Sequence, residues 1–360
     1  MSALRVRGLS AVAGRKIILG MSGGVDSSVA AYLLKQQGAQ LEGVFMRNWD
    51  AANERGECPG DQDWRDVQAV DFVREYWTRV FAKTIDDYAN GHTPNPDIAC
   101  NREIKFGALV DRCVQGDAWL ATGHYARIAC DAGDVPYLLR GVDSNKDQSY
   151  YLSDVKQSQL ARAIFPLGSM DKSEVRAIAR AHKLTTANKA ESMGICFVGK
   201  RPEYIPQHPG EVVSLGGRVL GQHQGIFSWT VGQRAGICAG SEKWFVVGKD
   251  IPNNKIYVVP GTTHPALFAT KVTVANWHWI GDRRPEAVAN GRLVSAQIRY
   301  RQQPDTCRVA FDSNDGDSTV HFVRPQRAPA PGQYIVLYDG DCCLGCGVIQ
   351  TSPLGVASLG

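Results

Sequence analysis

The sequence predicts an α/β protein in three parts: an N-terminal parallel-sheet domain, a small middle domain and a C-terminal β-barrel. Three observations carry this. Apolar runs at Lys16–Gly20, Leu41–Phe45 and Trp119–Thr122 alternate with helical patterns, as in a parallel sheet. Near Tyr204 the texture changes to short β-type runs between Gly and Pro turns. From Lys271 to Ile349 those runs follow one another closely enough to close a barrel.

The elements follow in order. Lys16–Gly20 is the first strand, and Ser27–Gln37 is an amphipathic helix with Val29, Ala30, Leu33 and Leu34 on its apolar face. Leu41–Phe45 is the second strand. Helices are predicted over Asp61–Val70, Tyr76–Tyr88 and Asn101–Val114, and a strand over Trp119–Thr122. Ser173–His182 reads as a further helix with Asp171 or Ser173 as its cap. Strands at Gly217–Leu220, Trp244–Gly248 and Ile256–Val259 make the middle domain. Lys271–Ala275, Leu293–Arg299, Thr306–Phe311, Thr319–Phe322, Tyr334–Tyr338 and Gly345–Ile349 make the barrel. The expected boundaries are 16–203, 204–266 and 267–355.

Residues 1–15 hold Arg5, Arg7 and Arg15, two serines and no acid, the bias of a short mitochondrial targeting segment. The alternatives are a frayed terminus and a cytoplasmic protein. With 44% hydrophobic and 21% charged residues, the 360-residue chain has the composition of a soluble globular protein. No apolar run approaches a membrane span, so no membrane partner is expected. A net charge of +4 permits a nucleic-acid partner without demanding one. Ten scattered cysteines suit a reducing compartment with a few thiols used chemically.

The most informative stretch is Gly20-Met21-Ser22-Gly23-Gly24-Val25-Asp26-Ser27, between a strand and a helix. Glycines allow close backbone approach, and the free N–H groups and dipole of a helix start suit a phosphate. The loop lacks a Walker lysine. It resembles the pyrophosphate loop of ATP pyrophosphatases, which adenylate a carbonyl or carboxyl oxygen and release pyrophosphate. Further on, Pro94 and Pro96 fix an extended segment, and Cys100 is expected at the mouth of the helix beginning near Asn101. The helix dipole, Arg102 and Lys105 would favour its thiolate. Cys196 falls in a glycine-containing loop.

Other motifs occur in one order with these: Met46-Arg47-Asn48-Trp49-Asp50, Thr93 through Asn101, Ala121-Thr122-Gly123-His124-Tyr125, Lys146-Asp147-Gln148-Ser149, and Met193-Gly194-Ile195-Cys196-Phe197. Gly232-Gln233-Arg234, Arg299-Tyr300-Arg301 and Pro331-Gly332-Gln333 follow. From about Lys16 to Ile349 the sequence resembles tRNA-specific 2-thiouridylases, which install sulfur at C2 of a wobble uridine, with a mitochondrial-type member expected.

That resemblance implies an N-terminal domain of the adenine nucleotide alpha hydrolase type. It implies that Gly20–Ser27 and Met46 hold ATP, with Gly123 under the adenosine, and that Asp26 acts in catalysis. Asn95, Pro96 and Asp97 would face the target base. Cys196 would carry sulfur as a persulfide and Cys100 would be its partner nucleophile. His124, Lys146, Asp147, Gln148, Arg299, Tyr300 and Gln333 would contact tRNA. The implied cofactors are ATP and Mg²⁺; the implied partners are tRNA, a persulfide donor protein and a reductant.

One departure is expected. The family has a helix end and a β-strand before the Asp71-Phe72 segment, whereas here Val70 joins Asp71 directly. No strand is apparent between Phe45 and Trp119, so the Leu41–Phe45 edge should be exposed and the α/β domain weakened. A tRNA-binding form with impaired catalysis is therefore one alternative, and an amide-forming ligase with the same loop is another. Two look-alike motifs carry no assigned role. Gly194–Lys200 nearly spells a Walker loop, but Arg201 replaces its Ser/Thr. Cys342, Cys343 and Cys346 suggest half a zinc site without a second ligand pair.

Overall fold

The computed structural model describes residues 4–49, 67–190, 204–237, 242–311, 317–351 and 353–354. Its first eight strands are β1 (Arg5–Val6), β2 (Lys16–Gly20), β3 (Gln40–Arg47), β4 (Gln68–Asp71), β5 (Trp119–Ala121), β6 (Ala126–Cys130), β7 (Pro136–Arg140) and β8 (Ala163–Ile164). Five of them form a parallel sheet in the order β4-β3-β2-β5-β8. The chain steps outward from β2 to β4, then returns to pair β5 with the other side of β2. That reversal opens a crevice at the carboxyl ends of β2 and β5, where open α/β sheets bind ligands.

The helices are α1 (Val25–Gln36), α2 (Val73–Tyr76), α3 (Ala82–Ala89), α4 (Pro96–Cys100), α5 (Leu109–Cys113), α6 (Ser149–Leu152), α7 (Gln157–Leu160) and α8 (Lys172–Ala181). Wider π-helical turns at Trp77–Phe81 and Asn101–Ala108 join α2 to α3 and α4 to α5. Both faces of the sheet are covered, as the unbroken apolar run Ile17-Ile18-Leu19 requires. Ile17 and Leu19 pack with Val29, Leu34, Val175 and Ala179, from α1 and α8. Ile18 faces the other way, into a cluster with Ile98, Ile104, Phe106 and Leu109.

The strand gap expected between Phe45 and Trp119 does not exist. β4 lies there, parallel to β3, with Val44 opposite Gln68 and Arg47 opposite Asp71. The expected exposed edge of β3 is therefore paired, and the weakening inferred from it loses its basis. Gln68–Val70 was expected as the end of a helix, of which residues 61–66 lie outside the described residues. Only Val70 of the four β4 residues is buried, so local pattern carries little strand signal. The open N–H and C=O groups of β3 decide the conformation instead.

The segment expected as a targeting sequence is built into the fold over the described residues from Leu4. β1 pairs antiparallel with β6, and Val12 is fully buried. Arg7 Nη1 donates to the carbonyls of Leu160 (3.2 Å), Ala161 (3.0 Å) and Ala163 (2.8 Å). Its guanidinium also lies 4.5 Å from the ring centroid of Trp119.

The middle sheet comprises β9 (Gly210–Ser214), β10 (Val219–His223), β11 (Arg234–Ala235), β12 (Trp244–Asp250) and β13 (Lys255–Pro260), in the order β10-β9-β13-β12-β11. The barrel comprises β14 (Phe268–Trp279), β15 (Val294–Gln297), β16 (Asp305–Phe311), β17 (Ser318–Arg327), β18 (Tyr334–Asp339) and β19 (Cys342–Ile349). It closes because β14 pairs with both β17 and β19, while β17, β16, β15, β18 and β19 pair in succession. The β6–β7 hairpin continues this sheet outward through Leu139, opposite Cys342 of β19.

Cys342, Cys343 and Cys346 are buried in the barrel wall. Burial pushes the Cys342 thiol up to about 11 and those of Cys343 and Cys346 well above the ordinary range, which keeps them protonated and inert. Among the described residues no three His, Cys, Asp or Glu side chains are grouped to hold a metal. None of the described helices is long and apolar enough to cross a membrane.

Replacing Arg7 by Ala leaves three carbonyls without their donor, while Arg15 still covers the Trp119 ring at 4.3 Å. The expected loss is about 2–3 kcal/mol of unfolding free energy, read by chemical denaturation of the full chain. A loss below about 0.5 kcal/mol would mean that the N-terminal segment does not hold the sheet.

Candidate active site at the carboxyl ends of the parallel strands

β2 ends at Gly20, and the loop Met21-Ser22-Gly23-Gly24 leads into α1, with Gly24 as its N-cap. Gly23 has φ +74°, a conformation that disfavours side chains. Ser27 ties the loop: its Oγ accepts from the Ser22 backbone N–H (3.3 Å) and donates to the Gly24 carbonyl (3.1 Å). Ser28 Oγ donates to the same carbonyl at 3.1 Å. The N–H groups of the first turn of α1 have no intrahelical acceptors, so a tied loop at this terminus has the geometry that suits an anion.

The neighbouring strand end closes over that loop. A methyl group on Gly123 would sit 3.1 Å from both Asp26 C and Ser27 N, so the backbone after β5 touches the start of α1. Gly20 faces the Thr122 methyl and the Met46 thioether: a methyl there would lie 3.7 Å from one and 4.0 Å from the other. Of the expected nucleotide residues, Gly20 and Met46 are thus neighbours, as are Gly123 and the Asp26–Ser27 turn, while Val25 is buried in the core. His124, beside them, lies between Phe106 (6.2 Å between centroids) and Phe165 (5.9 Å). Its Nδ1 is 2.7 Å from Thr122 Oγ1. Burial, then the Lys105 charge, holds the imidazole neutral at physiological pH.

Asp26 is engaged from two directions. Tyr125 Oη donates to its Oδ1 at 2.8 Å, and Lys172 Nζ donates to both oxygens at 2.6 and 2.7 Å. Tyr125 is itself fixed by Gln148: its N–H donates to Gln148 Oε1 (3.0 Å), and its carbonyl accepts from Gln148 N–H (2.8 Å). Asp147 accepts from the Gly141 and Ser149 N–H groups, each at 3.0 Å. Asp147 and Gln148, expected to touch tRNA, thus shape the turn that carries Lys146 and brace the wall behind Asp26.

The segment carrying Asn95, Pro96 and Asp97 is fixed by helix capping and by the barrel. Asn95 Oδ1 accepts from Ile98 N–H at 3.4 Å, and Pro96 is the first residue of α4. The helix therefore starts five residues earlier than expected. Cys100 is the last residue of α4 rather than a helix mouth, so the dipole argument for its thiolate fails. Arg102 is committed to Asp154, 3.1 Å from each of its oxygens, and to Glu103 at 3.2 Å. The π-helical stretch that follows requires Gly107, where a methyl would come 2.9 Å from the Arg102 carbonyl.

Three domains meet at Thr93. Its N–H donates to the Pro331 carbonyl (2.8 Å), and its Oγ1 lies 3.4 Å from Thr230 Oγ1 of the middle domain. Gln333 Nε2 donates to the carbonyls of Thr93 (2.7 Å) and Pro94 (3.2 Å). Gly332, at φ +88°, fits where a methyl would be 2.8 Å from His92 Cβ. Gln333 therefore grips the backbone that leads into Asn95–Asp97, the residues expected to face the base. Tyr300 of the barrel packs on Tyr151, ring centroids 4.4 Å apart, next to α4. Asn101 Nδ2 donates to the Tyr151 carbonyl at 2.9 Å. Arg299, expected on RNA, turns inward: its guanidinium donates to the Arg327 (3.3 Å) and Ala328 carbonyls.

Cys196 lies outside the described residues, as does the Walker-like Gly194–Lys200 stretch. Tyr125 stood in a quoted motif without a role of its own, and Tyr151 and Lys172 were not singled out from the sequence. A signal existed for Lys172, because a cation at the first position of a helix opposes the helix dipole. Tyr151 gave none, since its partners come from other elements.

The fold and this site define a class: a HUP-type parallel-sheet domain with a glycine-rich anion loop, followed by a small β-domain and a closed antiparallel barrel. Residues 15–200 match the tRNA methyl transferase HUP domain family, 202–260 the tRNA methyl transferase PRC-barrel domain family, and 269–349 the aminomethyltransferase beta-barrel domain family. The chain is 45% identical to the tRNA-specific 2-thiouridylase MnmA of Lacticaseibacillus paracasei, covering 94% of each. It is 46% identical to MnmA 1 of Geobacillus kaustophilus, covering 93% of this chain and 95% of that one. With MnmA of Listeria monocytogenes the identity is 44%, over 93% and 95% respectively. The chain belongs to the MnmA family of tRNA-specific 2-thiouridylases. These relatives are bacterial and give no support to a mitochondrial-type member.

Burial raises the affinity of Asp97 for a proton, and Lys105 only partly offsets this. A raised carboxyl pKa means that the charged form costs stability once the pH exceeds the ordinary carboxylate range. Asp97→Asn is therefore expected to melt higher than the parent at pH 7. The gain should disappear as the pH falls below about 4. An unchanged difference across that range, by scanning calorimetry, would show that the carboxylate is not strained.

Proposed function

We propose that this protein is an ATP-dependent tRNA uridine 2-sulfurtransferase acting on a wobble uridine. The observation that carries the reading is the crevice between β2 and β5. The Gly20–Ser27 loop forms one wall, and Gly123 and His124 connect it to the π-helical stretch just after Cys100. A phosphate cradle and a thiol-bearing helix on one crevice suit activation of a base followed by sulfur transfer.

A uracil C2 oxygen is a poor leaving group. Attack by that oxygen on the ATP α-phosphorus would form an adenylate and release pyrophosphate. The cradle would hold the phosphates, and Asp26 would hold Mg²⁺ on giving up part of its ion pair with Lys172, since Mg²⁺ commonly takes one or two carboxylates plus substrate phosphates. When bound, Mg²⁺ supplies neutralisation of the departing charge. Cys196 would receive a sulfane sulfur from a donor protein. The Cys100 thiolate would attack Cys196 Sγ and break its bond to that outer sulfur. Hydrosulfide would leave and displace AMP from C2. The resulting Cys100–Cys196 disulfide then takes two electrons from a dithiol reductant to restore both thiols.

Asn95, Pro96 and Asp97 would receive the extruded base, since chemistry on a base requires unstacking. His124, Lys146–Gln148, Arg299, Tyr300 and Gln333 would surround the RNA, with Arg299 and Gln333 acting through the backbone carbonyls they hold.

In an assay on tRNA bearing a wobble uridine, Cys196→Ser should abolish sulfur incorporation while pyrophosphate release persists. Cys100→Ser should also block turnover, with the extra sulfur still found on Cys196 by mass spectrometry. Sulfur loaded onto a different cysteine would overturn the assignment.

Gln333→Ala removes the two hydrogen bonds that set the base-facing segment. Turnover should fall roughly tenfold, the effect of about 1.4 kcal/mol of lost positioning. The tRNA dissociation constant should move by less than about threefold. Loss confined to tRNA affinity would instead make Gln333 a direct RNA contact.

A further inference from the structure

We propose that Lys172 is the phosphate-binding cation that the glycine-rich loop itself lacks, delivered to the site from the far end of the domain. The inference rests on the ATP reading given above. Loop 20–27 contains no lysine or arginine, yet a triphosphate seated on it would lie beside the Asp26 carboxylate. Two like charges at that distance repel unless a cation stands between them or beside them.

Lys172 occupies that place. It is the first residue of α8, after the N-cap Asp171, and its backbone N–H donates to Asp143 Oδ2 at 3.0 Å. Its ammonium lies 5.5 Å from the Tyr125 ring centroid, and only 12% of its side chain is exposed. Asp26, 146 residues earlier in the chain, receives it on both oxygens.

For helix stability this is the wrong position for a cation, because the N-terminus already carries the positive end of the dipole. For holding an anion it is the right one: the first turn of α1 and the ammonium both act on the same crevice. In this arrangement Lys172 neutralises Asp26 before nucleotide arrives. Once phosphates were seated the ammonium would shift onto them, which would leave an Asp26 oxygen free to hold Mg²⁺. Lysine suits this use as a compact, mobile point charge with three donors.

The test is equilibrium binding of Mg-ATP and, separately, of adenosine to the full-length chain by titration calorimetry. For Lys172→Gln the ATP dissociation constant should rise at least tenfold, while that for adenosine stays within twofold of the parent. Lys172→Arg should recover part of the ATP affinity. Lys172→Gln strands a carboxylate, so the same substitution is also made on Asp26→Asn, where a further tenfold loss is expected. Three results would overturn the proposal: ATP affinity within twofold of the parent, equal losses for ATP and adenosine, or no additional loss on Asp26→Asn. A parent chain that binds adenosine but gains nothing from the triphosphate would overturn the nucleotide reading itself.

Discussion

Parallel pairing of β2 with β5 is the constraint on which the rest of the site depends. It places the chain reversal in the middle of the sheet, so two strand ends separated by about a hundred residues become neighbours. The pairing is stabilised by Ile17, Ile18 and Leu19, each fully buried, with alternate residues facing the helices on either side. Burial of three such side chains is worth roughly 5–9 kcal/mol as an upper figure, comparable with the net stability of a domain. Gly123 then reaches the first turn of α1 because the strand that carries it cannot move.

The second level of organisation is the contact between domains. The barrel does more than add surface: Pro331 and Gln333 hold the backbone of Thr93 and Pro94, and Tyr300 packs on Tyr151. The middle domain reaches the same point through Thr230. A force on the barrel is thereby transmitted to the start of α4 and so to Asp97 and Cys100. The β6–β7 hairpin gives a second, independent connection, since it extends the barrel sheet at β19 while its neighbour β5 belongs to the parallel sheet. These two bridges join the barrel to the parallel-sheet domain.

The departures from expectation have physical causes. Gln68–Val70 was read as helical but pairs with the edge of β3, where ladder hydrogen bonds outweigh a weak helix preference of a few tenths of a kcal/mol per residue. Arg299 carries a charge that composition assigns to a surface. In the fold, burial and the nearby Arg327 charge lower its proton affinity, and backbone carbonyls satisfy its donors. Cys100 was expected at a helix start because Pro96 was read as extended backbone. Proline is also well suited to the first helical position, and Asn95 caps ahead of it.

The sequence alone determined the three-part architecture, the strand–loop–helix at residues 16–37 and the residue types of the crevice, because these rest on local periodicity and on glycines that only a tight loop needs. Of the candidate site, the Gly20–Ser27 loop and Cys100 stand out from the residues themselves, whereas the roles expected of Gly123 and Asn95–Asp97 come only with the resemblance to the thiouridylases. Tertiary structure decided the rest. Lys172 on Asp26, Gln333 on Thr93, Tyr300 on Tyr151 and Arg7 across the α7–β8 turn join residues from 146 to 240 positions apart, or from 153 to 156 in the case of Arg7. Such pairs leave no periodic trace in the chain. They exist because a buried charge or donor must find a partner wherever the packed sheets bring one within about 3 Å.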